Sequence, residues 1–169
     1  MAHTTIKTRL GFVGVSATAK GIKRVLLPRA EEESVRRELE GLGDDSPHAK
    51  AYVKSAAEKL RRYFRGESVE FHEPLDWDGE PEFYRRVWQE LRKVRRGETL
   101  SYAELGRRVG TSRGAARAVG QAVAHNPIPV IVPCHRVLRS DGSLGGFSGG
   151  LLLKRKMLEL ERDEGRGVI

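Results

Sequence analysis

Asn126-Pro127-Ile128-Pro129-Val130-Ile131-Val132-Pro133-Cys134-His135-Arg136-Val137 is the stretch around which the rest of this 169-residue chain can be read. An apolar run, Ile128 to Val132, is bracketed by prolines and reads as a short buried strand. It delivers a thiol followed at once by an imidazole and a guanidinium. Cys134 is the only cysteine. A free cysteine is most often a small buried hydrophobe. A thiolate, however, is a nucleophile, and neighbouring His and Arg charge lowers a thiol's pKa, so the neighbours of Cys134 point to chemistry. A lone thiol excludes an intrachain disulfide and suits a reducing compartment.

Downstream, the glycine-rich segment Gly142 to Gly150 does not lie between a strand and a helix as a nucleotide-binding loop does, and reads as a mobile loop beside the cysteine. The spacing then predicts a helix over about Leu151 to Arg162, with an apolar face of Leu152, Leu153, Met157, Leu158 and Leu160. Glu161 falls within that arc, and a buried acid needs a partner. Lys154 and His135 are the two candidates.

Upstream, Phe83, Val87, Trp88, Leu91 and Val94 predict an amphipathic helix stopped at Gly97. Ser101, with Glu104 three residues on, is a capping-box pattern that opens a short helix to about Val109. Gly110-Thr111-Ser112 is a turn, and a further helix is expected from Arg113 to Ala124, which together make a helix-turn-helix candidate. On it Arg113, Arg117 and Gln121 share one stripe among small residues, including Ala115, Ala116 and Ala118. Such a face suits either close helix packing or close approach to DNA, and the basic charge favours DNA.

In the first half, strands are expected around Leu10 to Ser16 and Ile22 to Leu27 across a turn at Thr18-Ala19-Lys20-Gly21, with a further strand near Val69 to His72. Glu31 to Glu40 reads as a short helix, and Ser46-Pro47 caps a longer one to about Arg65 that Gly66 stops. The Pro, Asp and Gly content of Glu73 to Glu80 marks the linker. The domains expected are 1–76 and 77–169.

The net charge is +8, which makes a polyanion a natural partner. Residues 81 to 169 carry 17 Lys plus Arg against 9 Asp plus Glu, whereas residues 1 to 80 carry 14 of each. The whole excess therefore sits in the half with the cysteine. Richness in Arg and Glu also fits the surface ion-pair habit of heat-adapted proteins. No apolar run approaches the ~20 residues of a membrane span, and no secretion signal opens the chain, so a cytoplasmic protein is expected. His3, His48, His72 and His125 are scattered without metal-ligand spacing, and no metal or cofactor is called for.

Pro133-Cys134-His135-Arg136-Val137 has Asn126-Pro127 before it and Gly145-Gly146-Phe147-Ser148-Gly149-Gly150-Leu151 after it. Ser101-Tyr102 and Gly114-Ala115-Ala116-Arg117-Ala118-Val119-Gly120 lie upstream. Together these resemble the active-site region of the O6-alkylguanine-DNA alkyltransferases, the methylated-DNA-protein-cysteine methyltransferases. The resemblance covers roughly Pro81 to Glu161. It implies an α+β protein: a small N-terminal antiparallel sheet with helices, ribonuclease H-like and structural, then a mostly helical DNA-binding and alkyl-acceptor domain with a winged-helix type of helix-turn-helix.

The resemblance further implies single-turnover transfer of an alkyl group from O6-alkylguanine, with O4-alkylthymine as a second candidate substrate, in double-stranded DNA to Cys134. His135 is the implied base, Glu161 the group that fixes its tautomer, and Tyr102 a phosphate contact and proton relay. Arg117 fills the stack of a flipped base, with Ala116, Arg113 and Gln121 on the same helix, which would lie in the minor groove. Pro129, Val137, Phe147, Ser148 and Gly149 line the pocket, backbone carbonyls near Cys134 and Val137 read the exocyclic amine, and Asn126 braces the turn. A monomer without cofactor is implied.

Two departures stand out. Phe147 replaces the family's usual tyrosine, and one residue more than usual lies within Gly110 to Gly114. A cysteine hydrolase using Cys134 and His135 is one alternative. A non-enzymatic binder of alkylated bases is another, though such proteins carry Trp where this chain has Cys134.

Overall fold

The structure, a computed structural model, describes residues 2–112 and 115–162, and divides into two compact units, Met1–Asp78 and Gly79–Ile169. In the first unit a three-stranded antiparallel sheet runs β1 (His3–Thr8), β2 (Gly11–Thr18) and β3 (Gly21–Arg29) in sequence order. The expected hairpin is β2 and β3, with Thr18 opposite Gly21. The third strand is β1, paired from His3 opposite Ser16 to Thr8 opposite Gly11, and not Val69 to His72, which forms no strand. Ile6, Val13 and Val15 are buried, and Val13 and Val15 bracket Gly14 on β2. Two helices cover the sheet: α1 (Glu32–Leu39), which buries Val35 and Leu39, and α2 (Pro47–Phe64), which buries Val53, Ala56, Leu60 and Phe64. Ser46 caps α2, its side chain accepting from the Ala49 amide at 3.1 Å. That satisfies one of the amide groups a helix start leaves open.

Glu73 to Asp78 is not a free linker. Ile22 N–H donates to the Pro74 carbonyl and Asp76 N–H to the Ile22 carbonyl, both at 2.8 Å. The approach is so close that a Cβ on Gly21 would lie 2.3 Å from the Pro74 oxygen, so only glycine fits there. Glu73 and Asp76 are buried, held by Ser55 and Lys59 and by Thr18 respectively.

The second unit is mostly helical. Helix α3 (Glu82–Leu91) buries Val87, Trp88 and Leu91. It ends before Val94, which is buried in the following turn. A two-residue strand β4 (Leu100–Ser101) leads into α4 (Tyr102–Val109), where the Ser101 hydroxyl accepts from Glu104 N–H at 3.0 Å. Only that half of the capping box forms, because the Glu104 carboxylate turns to Arg107 and Arg108. Gly110 closes α4 in the left-handed conformation at φ 85°, which glycine adopts without strain. Helix α5 (Ala116–Ala124) follows; Arg113, expected to begin it, lies outside the described residues. The buried indole of Trp88 donates to the Ala122 carbonyl at 2.7 Å and fixes α3 to α5. Strand β5 (Val137–Leu138) pairs parallel with β4, Leu100 opposite Val137, and α6 (Leu151–Arg162) ends the described chain. Among the described residues no helix is long and apolar enough to cross a membrane.

Candidate active site

Ile128 to Val132 is buried, but it is a chain of turns and not the expected strand. Pro127, Pro129 and Pro133 have no N–H to give a ladder, and the Asn126 side chain organises the backbone instead. Its Oδ1 accepts from Ile128 N–H at 2.9 Å and its Nδ2 donates to the Val132 carbonyl at 2.8 Å. Cys134 N–H then donates to the Val132 carbonyl at 2.8 Å across Pro133, whose φ of −80° and ψ of 67° are those of an inverse γ-turn. Val130 is held at φ 73°, a conformation that costs a β-branched residue about 1 to 3 kcal/mol. This strain sits four residues before the thiol, in the segment that aims it.

Cys134–Arg136 form a single 3-10 turn. Cys134 and His135 are buried, His135 completely. His135 Nε2 lies 2.5 Å from Glu161 Oε1. Of the two partners left open for Glu161, the structure thus selects His135. Arg136 joins them: its Nε and Nη2 reach the two carboxylate oxygens at 3.0 and 2.9 Å, and its Nη1 donates to the Val94 carbonyl at 2.7 Å. No local sequence pattern signals this bidentate clamp. It also corrects the expectation that Arg136 lowers the thiol's pKa, since the guanidinium is spent on Glu161.

Burial alone would raise the Glu161 carboxyl, but the His135 and Arg136 hydrogen bonds and charge outweigh it and hold it at about 2. Burial pushes His135 below its usual range against the pull of Glu161. The imidazole is therefore neutral at pH 7, so the true ion pair is Arg136 with Glu161 and His135 contributes a neutral N–H. With that proton on Nε2, Nδ1 is the basic nitrogen. Burial likewise raises Cys134, against the Asn126 side-chain hydrogen bond and the Lys154 charge that favour the thiolate. The resting site is a neutral thiol beside a neutral base.

The sequence pattern offers Lys154 only as a partner for Glu161. It is fully buried, and its ammonium donates to the carbonyls of Val137 at 2.6 Å, Leu144, and Gly146 at 3.3 Å. Phe147 lies 6.0 Å from it, ring centroid to Nζ, a cation-π distance. Burial lowers its pKa to about 8. The glycine-rich segment is thus tied to α6 through its carbonyls. One lone pair of the Val137 carbonyl, expected to face an exocyclic amine, is already engaged. The buried face of α6 is Lys154, Met157 and Glu161, while Leu152, placed on the apolar face by sequence, is 65% exposed.

Tyr102, at the start of α4, is half-buried; burial first and the Cys134 charge second raise its phenol, so it stays protonated. It borders the loop, where a Cβ on Gly145 would come 3.4 Å from its ring. Val137 and Pro129 are buried, Phe147 is half-buried, and Ser148 and Gly149 are exposed. On α5, Val119, Ala122 and Val123 face the core. Ala116, Arg117, Ala118 and Gln121 face outward, whereas Ala115 and Gly120 are partly covered. Arg117 has no ion-pair partner among the described residues. Cys134, His135, Glu161, Asn126 and Tyr102 thus come together, while Arg117 lies on the exposed face of α5.

Residues 1–77 match the family model of the 6-O-methylguanine DNA methyltransferase ribonuclease-like domain, and residues 82–163 that of the DNA-binding domain. A methylated-DNA-protein-cysteine methyltransferase of Mycolicibacterium paratuberculosis is 51% identical over 107 residues, 63% of this chain and 64% of the relative's own length. The constitutive enzyme of that name in Bacillus subtilis is 33% identical over 95% of this chain and 94% of its own. The crystal structure of Mycobacterium tuberculosis OGT in complex with DNA superposes with a TM-score of 0.77 at 37% identity, covering 95% of this chain and 92% of that one.

Proposed function

The chain belongs to the 6-O-methylguanine DNA methyltransferase family, and from that premise we propose that it repairs duplex DNA by taking an alkyl group from O6 of guanine onto its own Cys134, once per molecule. The observation that carries this reading is the buried His135–Glu161 pair directly following the buried Cys134, with Nε2 of the histidine committed to the carboxylate at 2.5 Å. It leaves Nδ1 to receive the thiol proton, in the division of roles of a nucleophile-base-orienter triad. Adjacent side chains seldom aim at one point, so a water carries the proton between them.

Sγ attacks the alkyl carbon, the carbon-O6 bond breaks, and its electron pair leaves on guanine. In balance one proton moves from sulfur to guanine, and Tyr102, kept protonated by burial, donates on the guanine side. As the imidazolium forms, the ionised Glu161 stabilises it, and the Lys154 charge favours the transient thiolate. A thioether has no route back to a thiol, so the reaction ends there. The target must leave the stack at a cost of a few kcal/mol, and Arg117 on α5 takes its place, with Ala116, Gln121 and Arg113 against the backbone. Ser148 and Gly149, with Phe147, Pro129 and Val137, form the walls around the base.

Residues 1–76 serve as a structural domain and 77–169 as the domain that binds DNA and accepts the alkyl group. The protein works as a cytoplasmic monomer. The test is intact and peptide mass spectrometry after exposure to an O6-methylguanine duplex, with an O4-methylthymine duplex alongside. One methyl on Cys134, plateauing at one per chain and absent in Cys134→Ser, is expected. Several turnovers, or a methyl elsewhere, would refute the reading.

A further inference from the structure

Residues 1 to 80 carry equal numbers of acidic and basic groups, yet the charges of the first unit are not evenly spread. Along α2 and its C-cap, Lys50, Lys54, Arg61 and Arg65 all face solvent. At 3.6 residues per turn they fall within an arc of about 60°, in a row about 22 Å long. The row shares its hollows with β1, an outer strand of the sheet, through His3, Thr4 and Lys7. Between them lies a groove of about 580 Å³ lined at one end by His3, Thr4, Lys50, Lys54 and Arg61. It continues past Arg61 into a second hollow lined by Lys7, Arg9 and Arg65. The acids near the row are Asp45, whose charge is felt by Lys50; Glu58, on Arg61; and Glu67, on Arg62 and Arg65. Lys7 and Lys54 have no carboxylate partner among the described residues. On the floor, His3 Nδ1 is buried and bonded to nothing among them.

We propose that this groove is a second contact for nucleic acid, holding the phosphodiester backbone of a DNA segment other than the one at the alkyl-transfer site. A line of cations about 22 Å long fits a linear polyanion better than a compact anion, spanning roughly six base-pair steps at 3.4 Å each. The lining sets Lys50, Lys54 and Arg61 against one acid, Glu58, with Ala2, Val53 and Ala57 as its apolar surface and Phe64 as that of the second hollow. It therefore grips without reading sequence, as backbone contacts do. Guarding a bare sheet edge takes a lysine on the edge strand itself; Lys7 supplies that, and the row on α2 exceeds it. Holding a second segment lets a protein that acts once move between duplexes without dissociating fully.

The proposal rests on the reading of DNA as partner, and its test is separable from that of alkyl transfer. Native mass spectrometry of the full chain with a short unmodified duplex is expected to show two duplexes per protein at low salt. The variant Lys7→Gln/Lys50→Gln/Lys54→Gln, all at exposed positions, should keep the first and lose the second. The salt slope of the second step should fall by about 2.7, at about 0.9 per cation removed. Methyl transfer from a short O6-methylguanine duplex should be unchanged; loss of transfer in the wild type would sink the alkyl-transfer reading and leave the duplex count standing. A second duplex retained by the triple variant, or a wild type that takes only one, overturns the groove. So does displacement of the second duplex by poly-glutamate at a lower charge concentration than by unlabelled duplex, which would assign the groove to an acidic polypeptide.

Discussion

Glu161→Gln isolates what the carboxylate does for each of its two partners. The amide keeps one acceptor oxygen where Glu161 offers two, and those now serve His135 Nε2 and both contacting nitrogens of Arg136. The side chain of Arg136 is 11% exposed, and it would keep only the Val94 carbonyl and at most one further acceptor. Breaking a buried pair by removing one charge costs about 3 to 5 kcal/mol. With part of the bonding kept, about 3 kcal/mol is expected, or a melting point about 6 to 12 °C lower.

The catalytic loss is separate. If the amide nitrogen faces His135, the ring is forced to hold its proton on Nδ1, and the base is gone. A misplaced proton on such a histidine, or loss of a general base, costs about 10² to 10⁴ in rate. The assay is the single-turnover rate with free O6-benzylguanine, which needs no DNA, beside chemical denaturation. Adding Arg136→Met to Glu161→Gln removes the stranded guanidinium and should restore most of the stability while the rate stays low. A Glu161→Gln rate within threefold of wild type, or a double variant in which rate and stability recover together, would refute the reasoning.

Acid should destabilise the second unit: Glu161 has its pKa lowered from 4.5 to about 2 in the folded state, so its contribution, on the order of 3 kcal/mol, is full above pH 4.5 and lost as pH falls towards 2. His135, depressed below 6.5, acts in the same direction at higher pH, and the transfer rate should fall only below 6.5; a rate falling already above pH 7 would contradict a neutral resting imidazole. Lys154→Met removes the donor from three carbonyls, so amide exchange should quicken across 139–149 and transfer should slow about tenfold, and unchanged exchange there would refute the tie. Arg117→Ala should slow repair of duplex DNA more than reaction with O6-benzylguanine, equal slowing being the contrary result. Alkylated protein should unfold more easily by about 1 to 3 kcal/mol, the usual cost of overpacking, and an unchanged melting point would show room around the buried sulfur.

What the sequence by itself determined is mostly what four or five neighbouring residues can settle among themselves. Ser46 and Ser101 cap their helices because a hydroxyl three residues from an amide reaches it whatever the rest of the chain does. Gly66 and Gly110 stop helices because they alone turn left-handed without strain. The Cys134-His135 pair is covalently adjacent, and the family's motifs around it marked the chemistry before any fold was known. The prolines at 127, 129 and 133 are also legible, and their missing N–H groups argue against a strand there.

Only tertiary structure decided the rest. Nothing local tells a lysine on a helix to be buried: Lys154 is, because Val137, Leu144 and Gly146 bring three carbonyls to one point. Nothing local sends Arg136 to Glu161 rather than to the thiol next door but one. The third strand came from His3–Thr8 because β2 offered it a free edge, which no property of Val69 to His72 could reveal. Buried charge is stable only where distant groups satisfy it, so its place is fixed by the packing of elements far apart in sequence.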